Sequence, residues 1–377
     1  MRFSYHRRLE QLANFLILVA RAGWRPEDLI HICGPYSHQM VFYAAARIPA
    51  HVTSPALRHA WLTIGPPTDP TVPDKAIDQL FEDFKSLPSL PDWELLDPSQ
   101  AAEAAMTSAQ RKAAGKVDAL LCKAESTEFL DEAETLITKA QQLRQEYRLA
   151  EASAGAETET LCIAHRVHLH APWVAYQAVL LSVIAAANSV TALLVDKRGL
   201  AVLVGAPDDC AHTVDLFANL NRQCDWHMRN GADAEMAKYF SQTASYRRSF
   251  RLSYAARISE LLEEANRVGA ANADGDPDGD GLLPVLAERM AAAQDALQQV
   301  YPHTSQSSLS MNNPLGAGAG ASAAERSHLS GDSSGLAPHQ RALSAYPPVV
   351  GPQAGSVVAH VFRIPCRRVI APARSNI

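Results

Sequence analysis

The sequence predicts a mainly helical α+β protein. It reads as an N-terminal helical unit, a helical hairpin, a small antiparallel sheet packed with helices, and a disordered C-terminal tail. Three observations carry this. Apolar residues recur at spacings of three and four through most of the first 150 positions. Between about 158 and 205 the period shortens to two, with short apolar runs around a turn. After Pro302 the composition turns to Ser, Gly, Ala and Pro, which cannot bury enough apolar surface to offset ordering.

The elements follow in order. Leu9, Leu12, Ala13, Leu16 and Ala20 keep helical spacing, and Gly23 stands where a helix would stop. Pro26 with Glu27 and Asp28 opens a second short helix, since proline suits the first turn and acids suit its dipole. Further helices are expected over Met40–Arg47 and Leu57–Ile64, closing a helical leader at 1–65. Seven prolines between 65 and 98 mark 66–107 as a linker, interrupted by one short helix from Asp74 to Phe84. At 108–150 Val117, Leu120 and Leu121 form one helical face, and Ser126 and Thr127 offer capping hydroxyls. Ala133, Leu136, Ile137, Ala140, Leu143 and Tyr147 then form the stripe of a second helix, giving a hairpin with one buried seam.

The α+β domain is expected over 158–302. Leu161–Leu169 alternates as a strand, and Trp173–Ala187 is a strongly apolar helix. Val190–Val195 and Leu200–Val204 flank Asp-Lys-Arg-Gly, a hairpin turn. Asp208–Arg229, Ala244–Val268 and Leu283–Val300 are helical, so strands and helices segregate as in an α+β domain. Residues 303–377 form the low-complexity tail, with an edge strand at 357–364.

Two segments resemble known families. Leu120, Leu121, Ala124, Glu125, Ser126 and Thr127, then Glu132, Ala133, Lys139, Ala140, Gln141 and Leu143, follow the pattern of domain-of-unknown-function family 2786 across residues 112–149. The region behind it resembles the companion family 7168. The resembling features are the Trp173 helix, the Leu200–Gly205 strand, "SYRRSF" and "YAARI" at 245–258, and "LLPVLAERMAAAQDAL" before Tyr301 and Pro302. The resemblance implies a fold and brings no activity, because neither family has catalytic residues to carry over.

Composition narrows the function classes. The chain has 377 residues with 34 basic and 40 acidic side chains, a net charge of −6 that excludes a globally polycationic nucleic-acid coat. The longest apolar run, Phe15–Ala20, is far below the roughly 20 residues of a membrane span, so a cytoplasmic protein without membrane contact is expected. Six cysteines without a CxxC pair fit a reducing compartment. No HExxH, Walker A or dinucleotide loop is present, and no cofactor is expected. "GDSSG" at 331–335 fits a nucleophile elbow in letters but has neither the strand before it nor the helix after it. Asp274, Asp276 and Asp278 open like a calcium loop, yet the twelfth position falls on Val285 or Ala287, so 274–288 reads as a solvated acidic linker.

Three constellations remain. Arg247, Arg248 and Arg251 cluster on one helix with Tyr246, Phe250 and Tyr254 between them, and arginines with aromatics bind phosphates and stack bases. The competing reading buries the aromatics and pairs the arginines with acids. Lys123, Ser126 and Thr127 at a helix start offer an anion loop, against which capping explains both hydroxyls. His168 and His170 share a strand face, two imidazoles that a third ligand would make a zinc site. The expectation is an interaction module that binds nucleic acid or another protein through Arg247, Arg248, Arg251 and Tyr254. The alternative is a metal-dependent hydrolase or nuclease assembled from His168, His170 and acids distant in sequence.

Overall fold

A computed structural model of the chain describes residues 2–48, 55–68, 72–90, 162–274, 283–302, 304–327 and 359–363, with Lys116 and Ala119. The hairpin expected at 108–150 lies otherwise outside the described residues.

Five helices come first: α1 (Arg2–Arg21), α2 (Pro26–Cys33), α3 (Pro35–Ala45), α4 (Pro55–Thr63) and α5 (Asp74–Lys85). The end of α1 follows from Gly23, whose φ of +84° allows a left-handed cap. Trp24 N–H then reaches back to Val19 O and Gly23 N–H to Ala20 O. The same glycine lets the chain at Leu90 lie directly on it, with Leu90 N–H donating to Ala22 O at 2.7 Å. Trp24 and Trp61 are fully buried, and their indole N–H groups donate to Pro88 O and Trp24 O. The chain from 72 to 90 is thus packed core rather than spacer, with Ile77, Leu80 and Phe84 of α5 turned inward.

The second part runs β1 (Ile163–His168), α6 (Val174–Ala187), β2 (Thr191–Asp196), β3 (Leu200–Gly205), α7 (Pro207–Arg229), α8 (Ala232–Tyr239), α9 (Thr243–Asp274), α10 (Leu283–Val300), β4 (Ser305–Leu309), α11 (Pro314–Glu325) and β5 (Ala359–Arg363). Strands β1, β3 and β2 form an antiparallel sheet, with Ile163 opposite Gly205 and Leu193 opposite Val202. Strand β5 extends it parallel to β2, and β4 closes the edge antiparallel to β5. The sheet is covered on both faces. Ala192, Leu194, Ala201 and Leu203 face α6, α7, α9 and α11. Leu193, Val195, Val202 and Val204 face the N-terminal helices together with Leu297 and Tyr301 of the α10 end. That double burial explains why β2 and β3 read as unbroken apolar runs.

Three expectations are corrected. The helices expected as a separate leader at 1–65 share a core with the sheet. The strand expected at the edge over 357–364 is β5, which lies inside the sheet order with β4 outside it. Residues 304–327, expected within the low-complexity tail, include β4 and α11. Small residues place α11 rather than loosen it: Gly316 and Gly320 sit against the backbone of Tyr246 and Phe250, a contact that larger residues would block.

Candidate functional site

Helix α9 is built on an aromatic stripe. Tyr246, Phe250, Tyr254 and Ile258 recur every four residues and are all buried, so one face of α9 is committed to the core. Position 251 turns inward with them. Arg251 is only 2% exposed, ion-paired with Asp225 of α7, and its guanidinium lies 5.2 Å above the Trp173 ring. Tyr254 is 0% exposed; its hydroxyl donates to Leu220 O at 3.2 Å and lies 2.8 Å from Ser327 Oγ. Arg251 and Tyr254 therefore reach no external ligand, which corrects their expected role as contacts. Arg257 is engaged as well, with Glu260 at 2.6 Å and Glu325 at 3.2 Å.

The other two candidates stay at the surface. Arg247 is half-buried and Arg248 exposed. The Arg248 charge acts on the hydroxyl of Tyr176 in α6, a group whose pKa burial raises and Arg248 partly lowers. Tyr176 and Trp173 are half-buried and meet edge to face at 5.6 Å. Just before α9, a three-residue turn with Ser241 at φ +57° follows α8 and leaves Tyr239 84% and Phe240 61% exposed. Their rings meet edge to face at 5.1 Å. The sequence signal for this pair was an adjacent Tyr-Phe outside any apolar period, and α8 itself was missed because its stripe is only one buried residue, Ala237.

A second cluster joins α2 to β1. Asp28 in the first turn of α2 is buried and takes a salt bridge from Arg166, which also donates to Gly23 O at 2.6 Å. The other carboxylate oxygen accepts from His168 Nε2 at 2.8 Å. Burial pushes the Asp28 carboxyl up, but the His168 hydrogen bond and the Arg166 charge outweigh it and hold it below its ordinary value. His31, one turn further along α2, stacks on His168 with ring centroids 4.4 Å apart and planes 7° from parallel. His170 meets His31 edge-on at 5.0 Å. Asp28 and His31 were absent from the sequence-based candidates, since only the docking of α2 on β1 brings them to His168.

This grouping is an ion-pair and imidazole cluster rather than a metal site. Among the described residues no group of three or more His, Cys, Asp or Glu side chains is arranged to hold a metal ion. Stacked parallel rings also send their lone pairs out in parallel planes, which do not converge on one ion. The anion loop at Lys123, Ser126 and Thr127, and most of the acidic segment 274–288, lie outside the described residues.

The described residues define a mainly helical α+β protein whose sheet is covered by helices. No helix among the described residues is long and apolar enough to cross a membrane. Residues 112–151 match the family described as "Protein of unknown function (DUF2786)". No second family matches, so the expected companion family 7168 is not found behind it. No curated protein and no solved structure matches the chain.

Proposed function

We propose that the protein is a cytoplasmic, non-enzymatic interaction module that binds single nucleic-acid strands on the face formed by the α8–α9 turn and the start of α6. The observations carrying this are the exposed Arg248 of α9, whose charge acts on the Tyr176 hydroxyl, and the exposed Tyr239–Phe240 pair just before α9. Phosphates would meet Arg248 and Arg247 while bases stack on the solvent-exposed rings. Buried Arg251 would not touch the strand; clamped by Asp225, it holds Trp173 in place as a positioning residue.

The test is fluorescence anisotropy with labelled single- and double-stranded oligonucleotides across a salt series. The expected result is binding that weakens with salt at a slope of about −0.7 per phosphate contacted, is stronger for single strands, and falls on Arg247→Ala/Arg248→Ala. Tyr239→Ala/Phe240→Ala should weaken it about tenfold or more, from the loss of roughly 1–3 kcal/mol per stacked base. No binding at low salt by the wild-type protein defeats the proposal.

A further inference from the structure

The contact between α2 and β1 has its hydrogen bonds complete while His31 is neutral. His31 Nε2 lies 2.8 Å from Leu169 O, and a carbonyl only accepts, so that nitrogen carries the proton. His168 Nε2 likewise donates to the Asp28 carboxylate. No further proton on His31 is needed to satisfy the contact. The single negative charge of Asp28 is already matched by the buried Arg166. A proton added to His31 therefore puts a cation face to face with His168 and edge-on to His170, with no second acid supplied.

We infer that His31, His168 and His170 form an acid-sensitive clasp, which holds the N-terminal helices against β1 at neutral pH and loosens α2 when His31 takes up a proton. The groups around it bear this out from each side. From α2 come Asp28 and His31. From β1 and the segment after it come Arg166, His168 and His170. The β2–β3 turn brings Gly199 against His31; of its charged groups, Arg198 pairs with Asp196 at 2.8 Å and with Asp83 of α5 at 3.5 Å, and Lys197 is exposed. Cys33, the last residue of α2, is half-buried, and desolvation pushes its thiol up to about 12, so it stays neutral. The His31 pKa moves accordingly. Burial lowers it below 6.5; hydrogen bonding to the backbone of Leu169 and Gly199 opposes this, and interaction with His168 and His170 adds to it, so the net direction is down. For a base depressed on folding, the stability it contributes is present above 6.5 and is lost as the pH falls from there toward the folded pKa.

The experiment is amide hydrogen exchange of the full chain at pH 7.5 and pH 5.0, read as protection factors corrected for intrinsic rates, over the peptide spanning residues 23–33. Protection in the wild type should fall by about tenfold for each unit by which folding depresses the His31 pKa. His31→Gln keeps a donor at the Nε2 position without a titratable charge, so its protection should change little between the two pH values. His170→Gln removes the exposed imidazole that meets His31 edge-on and should give a smaller loss than wild type. An unchanged wild-type protection overturns the clasp. So does a loss of equal size in both variants, and His170→Gln alone decides the matter should His31→Gln fail to fold.

Discussion

Helix α11 allows one glycine-to-alanine substitution to be made at three places with opposite outcomes. Gly316, Gly318 and Gly320 all lie inside the helix, so each change to alanine brings the same gain in helix propensity, about 0.8–1.0 kcal/mol. At Gly318 nothing lies within 4 Å of the added Cβ, and the gain should appear undiminished as stabilisation. At Gly316 the new carbon would stand 3.0 Å from Tyr246 C and Cα, and closer to its carbonyl oxygen. At Gly320 it would meet Phe250 in the same way, again at 3.0 Å. Relaxed carbon–carbon contact needs about 3.5–4.0 Å, so α11 must withdraw from α9 by roughly 0.5–1 Å. The obstacle is backbone, which has no rotamer to change, and this puts the cost near the upper end of the overpacking range, about 3 kcal/mol. Subtracting the propensity gain leaves a net destabilisation of about 2 kcal/mol at each site. Urea unfolding followed by far-UV circular dichroism would measure all three midpoints. Gly318→Ala should raise the midpoint, and Gly316→Ala and Gly320→Ala should lower it. If Gly320→Ala stabilises as much as Gly318→Ala, α11 does not lie close on α9 and the packing argument is wrong.

Two further outcomes follow from buried groups. Asp28→Asn leaves the Arg166 guanidinium, with a side chain only 5% exposed, without its counter-charge, and should cost about 3–5 kcal/mol in chemical denaturation. Asp28→Asn costing under 1 kcal/mol would mean that Arg166 reaches water. Burial pushes the thiols of Cys33 and Cys224 up to about 12 and raises that of Cys210 as well, so none is a thiolate at pH 8. Brief iodoacetamide treatment of the native protein should leave all three unmodified in peptide mass spectra while urea exposes them. Rapid native labelling of Cys224 would contradict its burial.

How much of this was legible beforehand depends on where each signal resides. The helices α2, α5, α6 and α10 and the β2–β3 hairpin declare themselves through local chemistry: Pro26 before two acids, an apolar stripe, the Asp-Lys-Arg-Gly turn. Helix α11 does not, because Gly and Ala report low complexity in one dimension and close approach in three. The inward turn of Arg251 was equally hidden. Helical spacing places it beside Phe250, but partners from other elements, Asp225 and Asn221 of α7 and the Trp173 ring, make its burial tolerable. The expected strand-face pairing of His168 with His170 was too simple, since β1 ends at His168 and the partner that stacks on it is His31 from another layer. Charge and ring contacts between distant segments are set by the fold, and no spacing within one segment reports them.

The position of β5 in the sheet has a consequence during synthesis. A ribosome releases β2 well before residues 359–363, and β5 is the strand that occupies the outer side of β2 at Leu194. In the interval Thr191–Asp196 offers free N–H and C=O groups along a strand that is apolar on both faces, the combination that recruits a strand from another chain. Strand β4 gives no early protection, since it joins the sheet only through β5. A transcript cut short between α11 and β5 would encode every helix of the packed layers and yet leave this edge open permanently. Such products are expected in the insoluble fraction, and a short peptide supplying Ala359–Arg363 in trans is the natural means of returning them to solution.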